Sequence, residues 1–267
     1  MNVDNHRARK RFGQNFLHDP IIIERIIEAI NPKYDDHIIE IGPGKGALTQ
    51  PLLERVEHLD VIEIDRDLAK TLRERTDANE DKLTIHQQDA LDINFSTFDK
   101  TPLRIIGNLP YNISTPLLFH LLKFSNLISD MIFMLQKEVV DRICASSGSK
   151  EFGRLSVMMQ YYCDVQRLFI VKPGAFNPSP KVDSAIIKII PNKSKKFPVI
   201  NETNFSLIVK EAFSQRRKTI RNTLKKYLSE DDFEKINISP EKRAETLEVD
   251  DFVKLTNYYE YLKNNTL

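Results

Sequence analysis

The stretch Ile105-Ile106-Gly107-Asn108-Leu109-Pro110-Tyr111 runs from the end of an apolar strand into a turn carrying an amide, a proline and an aromatic ring. These residue types suit one chemical task, the activation of a nucleobase amine. Such an amine is a poor nucleophile because its lone pair is delocalised into the ring. Carbonyl oxygens from the Asn108 side chain and the Leu109 backbone could accept its two hydrogens and draw it toward a tetrahedral geometry. Pro110, with its fixed φ and no N–H, would stiffen the loop that aims them. The Tyr111 ring could stack on a base removed from its helix. Asn, Pro and Gly are also ordinary turn residues, so the heptapeptide needs support from the rest of the chain.

That support comes from three further segments. Glu40-Ile41-Gly42-Pro43-Gly44-Lys45-Gly46 is a glycine turn that lets backbone approach a ligand closely. Its spacing is neither that of the dinucleotide fingerprint nor that of a phosphate loop. Val61-Ile62-Glu63-Ile64-Asp65 places Glu63 where an acid can take both hydroxyls of a ribose, with Asp65 as an N-cap for the next helix. Gln88-Asp89-Ala90 offers Asp89 to an adenine amine. Adenine, a free ribose and no pyrophosphate describe S-adenosylmethionine, whose sulfonium charge the acids would favour.

The elements that must position these groups alternate along residues 37–143. Strands are predicted at 37–41, 59–64, 83–87, 103–107 and 131–136, with helices at 46–56, 67–76, 115–124 and 137–144. This pattern predicts an α/β fold with a doubly wound, mostly parallel Rossmann-like sheet, which binds ligands beyond the carboxyl ends of its strands. Further strands are predicted at 165–171 and 185–190. Between them, the proline-rich loop 172–184 carries Phe176, either as a second stacking ring or as a core plug, and Lys181.

The N-terminal segment carries the basic arm Arg7, Arg9, Lys10 and Arg11, followed by Gly13-Gln14-Asn15-Phe16-Leu17, and Asp19 can cap a helix from Pro20. Net charge is +1 overall, but residues 12–171 sum to −7 and 172–228 to +10, a polarity suited to a polyanion. A polar linker at 191–198 separates an expected first domain, 1–197, from a helical domain, 198–267. In the latter, Arg216, Arg217, Lys218 and Arg221 lie on a basic helical stretch, 213–222. Cys144 and Cys163 lack metal or redox spacing, and no two of the six histidines stand four apart, so no metal site is expected. With no run of 18 apolar residues and no signal-like start, a cytoplasmic, monomeric protein without a membrane span is expected.

The ordered set of Gln14-Asn15-Phe16-Leu17, Gly42-Pro43-Gly44, Glu63, Asp89, Asn108-Leu109-Pro110-Tyr111 and Phe176-Asn177-Pro178-Ser179-Pro180-Lys181-Val182 resembles the ribosomal RNA adenine N6,N6-dimethyltransferase family, in its small-subunit group. The resemblance covers almost the whole chain. It implies that Asn15 and Leu17 close over the cofactor, that Gly42 meets its methionine part and that Gly44 also binds it. Glu63 would hold the ribose, Asp89 the adenine, and Asn108 both cofactor and target amine. It further implies that Tyr111 and Phe176 sandwich the target adenine, and that the helical domain grips rRNA in a partly assembled small subunit. The implied reaction dimethylates two adjacent adenosines near the 3′ end of that RNA and leaves S-adenosylhomocysteine, with a companion role in subunit biogenesis. Three alternatives stand beside it: a large-subunit, resistance-type methyltransferase, an assembly factor whose binding outweighs turnover, and a nucleotide-dependent oxidoreductase.

Overall fold

The computed structural model describes residues 14–76, 81–110, 113–194 and 198–265. In chain order the first elements are β1 (Phe16–Leu17), α1 (Pro20–Ile30), β2 (His37–Ile41), α2 (Thr49–Leu53), β3 (Leu59–Ile62), α3 (Arg66–Thr76) and β4 (Leu83–His86). Next come β5 (Leu103–Asn108), α4 (Ser114–Leu122), β6 (Ile128–Gln136), α5 (Lys137–Ile143), α6 (Arg154–Tyr162), β7 (Cys163–Val171), β8 (Phe176–Asn177) and β9 (Ser184–Pro191). Four α-helices follow β9: α7 (Glu202–Ala212), α8 (Ile220–Leu224), α9 (Glu230–Lys235) and α10 (Val249–Asn265).

Seven strands form one sheet in the order β4-β3-β2-β5-β6-β9-β7. The pairings from β4 through β6 are parallel, and β9 joins β6 antiparallel. The chain steps outward from β2 to β4, then returns to place β5 on the other side of β2. The crevice at that reversal is where such sheets bind ligands. The central strands are largely apolar, as a parallel sheet buried on both faces requires, and Ile38, Ile39, Leu59, Val61, Leu103 and Ile105 are fully buried. Gly107 sits opposite Ile41, and a Cβ there would lie 2.3 Å from the Ile41 carbonyl oxygen, so only glycine lets β5 and β2 close up at this point.

Helix α1 begins as its sequence dictates. Asp19 accepts from the N–H groups of Ile21 (2.9 Å) and Ile22 (3.2 Å), Pro20 occupies the first turn, and Ile26, Ile27 and Ile30 face the core. A cap of this type stabilises by about 1 kcal/mol.

By packing, the described chain divides into two compact units: residues up to 140 with 165–191, and residues 141–164 with 192 onward. This differs from the single boundary expected at 197/198. The reason lies in α6, whose residues Leu155 to Met159 and Tyr161 are buried and so need cover on more than one side. The Tyr161 ring packs tilted against Phe205 of α7, with centroids 4.4 Å apart, and its hydroxyl accepts from the Val199 N–H at 2.9 Å.

Candidate active site

The ends of four adjacent strands open into one cavity. Gly42, Gly44 and Lys45 follow β2, Glu63 and Ile64 follow β3, Gln88 and Asp89 follow β4, and Asn108, Leu109 and Pro110 end β5, with Gln14 to Leu17 forming a further wall. The sequence-predicted residues Asn15, Leu17, Gly42, Gly44, Glu63, Asp89, Asn108, Leu109 and Pro110 all line it. Positive φ at Gly42 (69°) and Gly44 (57°) turns the backbone so that the Gly44 N–H points to Glu63 Oε2 at 3.2 Å.

Two buried acids stand at the cavity. Glu63 is 5% exposed, and its other oxygen accepts from the Asp65 N–H at 2.8 Å. Burial pushes its carboxyl up to about 7, the Asp65 charge adding to the effect and the N–H bonds opposing it. Glu40, 2% exposed, accepts from the Thr49 hydroxyl at 2.6 Å, and burial, with the Glu63 charge adding, likewise pushes it up to about 7. Asp89 is half-buried, its Oδ1 taking the Leu91 N–H at 2.9 Å while Oδ2 makes no hydrogen bond among the described residues. Asp65 caps α3 through the Asp67 N–H and accepts from Gln14 Nε2 at 3.1 Å, as its N-cap role required.

Asn108 Nδ2 donates to the Asn15 carbonyl at 3.2 Å. A carbonyl oxygen can only accept, so this contact fixes the amide's orientation and leaves Oδ1 to accept from another group. The segment bearing Asn15 is anchored by the β1–β8 pair, in which Phe16 faces Asn177 and Leu17 faces Phe176, and by the His18 N–H on the Ala175 carbonyl at 3.0 Å.

Phe176, 3% exposed, packs among Leu17, Val171, Ala175 and Ile186, and its expected stacking partner lies outside the described residues. Tyr111, Arg9, Lys10 and Arg11 lie outside the described residues.

The basic residues of the second unit also sit differently from expectation. Residues 213–219 form the turn between α7 and α8, so Arg216, Arg217 and Lys218 are exposed on a turn and not on a helix face. Arg216 donates to the Lys150 carbonyl, and Arg221 is held by Glu230 (3.4 Å) and Glu241 (3.0 Å). Lys181, in the first unit, is exposed.

Among the lining residues given no role from the sequence are Glu40, Ile64 and Gln14. Glu40 was detectable as a lone acid in the apolar strand His37-Ile38-Ile39-Glu40-Ile41, directly before the glycine turn. Ile64, 48% exposed at the cavity, follows the strand acid and offers a flat apolar face. Gln14 had no local signal, since its partner lies 51 residues away. Among the described residues no cluster of histidine, cysteine and acid is arranged to hold a metal, and no helix is long and apolar enough to cross a membrane.

With this geometry in hand, comparison with known proteins is informative. The sequence matches the family described as ribosomal RNA adenine dimethylase over residues 5–261. It is 52% identical over 261 residues to a ribosomal RNA small subunit methyltransferase A of Nitrosococcus oceani, covering 97% of this chain and 98% of that one. A protein of the same name from Aromatoleum aromaticum is 54% identical, covering 96% of each chain. Among solved structures, a dimethyladenosine transferase from Plasmodium falciparum superposes with a TM-score of 0.79 at 29% identity, covering 90% of this chain and 95% of that one. The 23S rRNA methyltransferase ErmE, at 24% identity, has a TM-score of 0.72, covers 92% of this chain and 100% of that one, and shares the fold.

Proposed function

The chain belongs to the ribosomal RNA adenine dimethylase family, and on that premise we propose that it transfers methyl groups from S-adenosylmethionine to the N6 amines of two adjacent adenosines near the 3′ end of small-subunit rRNA. The observation that carries this reading is the Asn108 amide, oriented by Asn15 so that Oδ1 has no partner among the described residues, at the cavity that Glu63 and Asp89 also line.

The lining fits the donor. Lys45 is its one cation among the described residues, and its ammonium lies over the Phe16 ring at 5.2 Å, so the cavity suits an adenosyl group without phosphates. Glu63 would hold the ribose hydroxyls through the lone pairs left on its two oxygens. Asp89 Oδ2 would take the adenine amine, and Ile64 would cover the adenine face. When bound, S-adenosylmethionine supplies an electrophilic methyl group. Asn108 Oδ1 and the Leu109 carbonyl accept the hydrogens of the target amine, localise its lone pair and aim it. Pro110 keeps the loop rigid, and Tyr111 stacks on the base. Phe176 supports this wall from the core through Leu17. No strong base is needed, because N6 turns acidic only as the new bond forms; rate comes from alignment and fixed dipoles.

We assign the exposed Arg216, Arg217, Lys218 and Lys181, with the arm at Arg9, Lys10 and Arg11, to phosphate contacts on a partly assembled small subunit. The protein acts there as a cytoplasmic monomer and also takes part in subunit biogenesis. The test is mass-spectrometric mapping of dimethyladenosine on small subunits from cells lacking the protein, incubated with wild type or Asn108→Ala. Wild type restores both dimethylated sites; a folded Asn108→Ala variant with full activity overturns the mechanism. Removing Arg217 and Lys218 together should flatten the salt dependence of particle binding by about two units of slope.

A further inference from the structure

The methyl-transfer reading uses Glu63 but leaves Glu40 without a task, although it is the more deeply buried acid. One of its oxygens is held by the Thr49 hydroxyl, and Oε1 has no hydrogen bond among the described residues. The charged groups around it are unequal. Glu63 lines the cavity from the end of β3, with Asp65 bonded behind it through its N–H, and Asp89 lines it from the end of β4, while Lys45 is drawn over the Phe16 ring. Asn108 and Thr49 contribute only neutral dipoles. A buried carboxylate in such company lacks a counter-charge.

We propose that Glu40 is the specificity-determining residue for the charge of the ligand: ionised opposite the cationic sulfonium donor, and protonated when the neutral thioether product occupies the cavity. The inference rests on the methyl-transfer reading. In the reaction the sulfur–methyl bond breaks and the N6–methyl bond forms. Sulfur keeps the electron pair and becomes neutral, and N6 loses one proton to solvent. Glu40 takes one proton up at that stage, and releases it when fresh donor replaces product. Product is then held by a neutral wall and donor by an anionic one, which sets their relative affinities. The upward-shifted carboxyl at Glu40 is consistent with a group that changes state near neutral pH.

The test is calorimetric titration of the intact protein with S-adenosylmethionine and with S-adenosylhomocysteine, in buffers of low and high ionisation enthalpy across about pH 6 to 8. Donor binding should release more protons than product binding at neutral pH, and the donor-to-product affinity ratio should rise at least about tenfold over that range. Glu40→Gln should abolish the difference in proton release and weaken donor binding about tenfold while leaving product binding within about twofold. The wild-type buffer series needs no variant, and Thr49→Val, which frees Glu40 from its hydroxyl, should move the pH at which the difference is largest. Equal proton release for both ligands, or a Glu40→Gln protein retaining the wild-type difference, overturns this inference alone. Failure of both ligands to bind would instead remove the methyl-transfer reading on which it stands.

Discussion

Toward the amino-terminal ends of the strands, Asp36, Asp60 and Asp130 are each met by an arginine or a histidine, whereas at the carboxyl ends Glu40 and Glu63 are buried with neutral hydrogen-bond donors and, among the described residues, no cationic partner. Arg104 reaches Asp36 (2.5 Å) and Asp130 (2.8 Å), and also donates to the Ile30 carbonyl at 2.6 Å. Asp60 receives His37 at 2.8 Å and His86 at 2.6 Å. Burial alone would push Asp60 up, but the two histidine contacts hold it below the usual carboxylate range. His37 is raised, chiefly by its hydrogen bond to Asp60, and its other nitrogen faces the Lys100 carbonyl; two acceptors call for a doubly protonated ring. One end of the sheet therefore uses its acids as structure, and the other keeps them available for a ligand. Buried charge without a counter-charge is unfavourable, and its presence at a cavity is what marks the second end as functional.

The largest test of this contrast is a crossed pair of variants. Asn108→Ala should lower methyl transfer about 100- to 1,000-fold while leaving the urea midpoint nearly unchanged. Arg104→Leu should do the reverse, destabilising by roughly 3 kcal/mol because two carboxylates lose their partner, with activity per folded molecule retained. Loss of both properties in either variant would merge the two ends. Asp60→Asn should be milder, about 1–3 kcal/mol by chemical denaturation, since its histidines keep a neutral acceptor.

The smallest effect sharpens the contrast through pH. Glu40, Glu63 and His37 are all raised in the fold, so each contributes stability that is complete below its ordinary value and lost as pH rises through its folded value, about 7 for the two acids. Asp60 is lowered, so its contribution is present above the ordinary carboxylate value and is lost only in stronger acid. The ligand-free protein should therefore melt several degrees higher near pH 5.5 than near pH 8, by about 2–8 °C in a fluorimetric melt. Glu40→Gln should flatten that slope, and a melt that rises toward alkaline pH would contradict the account.

Much of this was legible in the chain. Strand ends and site residues came together because β2 to β5 repeat a short apolar run followed by a functional turn, and local pattern suffices to see both. What escaped required distant partners. The burial of Phe176 depends on Leu17, and the orientation of Asn108 on the carbonyl of Asn15. Glu40 stands out in its apolar strand as a lone acid, but its partner, the Thr49 hydroxyl on α2, is seen only in the fold. The placement of α6 in the second unit follows from the aromatic cover it finds in α7, which no boundary signal announces. The basic cluster at 213–219 kept helical spacing but lies in a turn, because the helix before it ends at Ala212.

The two-residue ladder between β1 and β8 joins the start of the first unit to a segment near its far end. A polypeptide still emerging from the translating ribosome has every strand-end group up to Asn108 long before it has Asn177. Until that residue appears, the segment bearing Asn15 lacks the ladder that anchors it beside the Asn108 amide, so the half-made chain has its strand-end groups but not the strand pairing that steadies this wall.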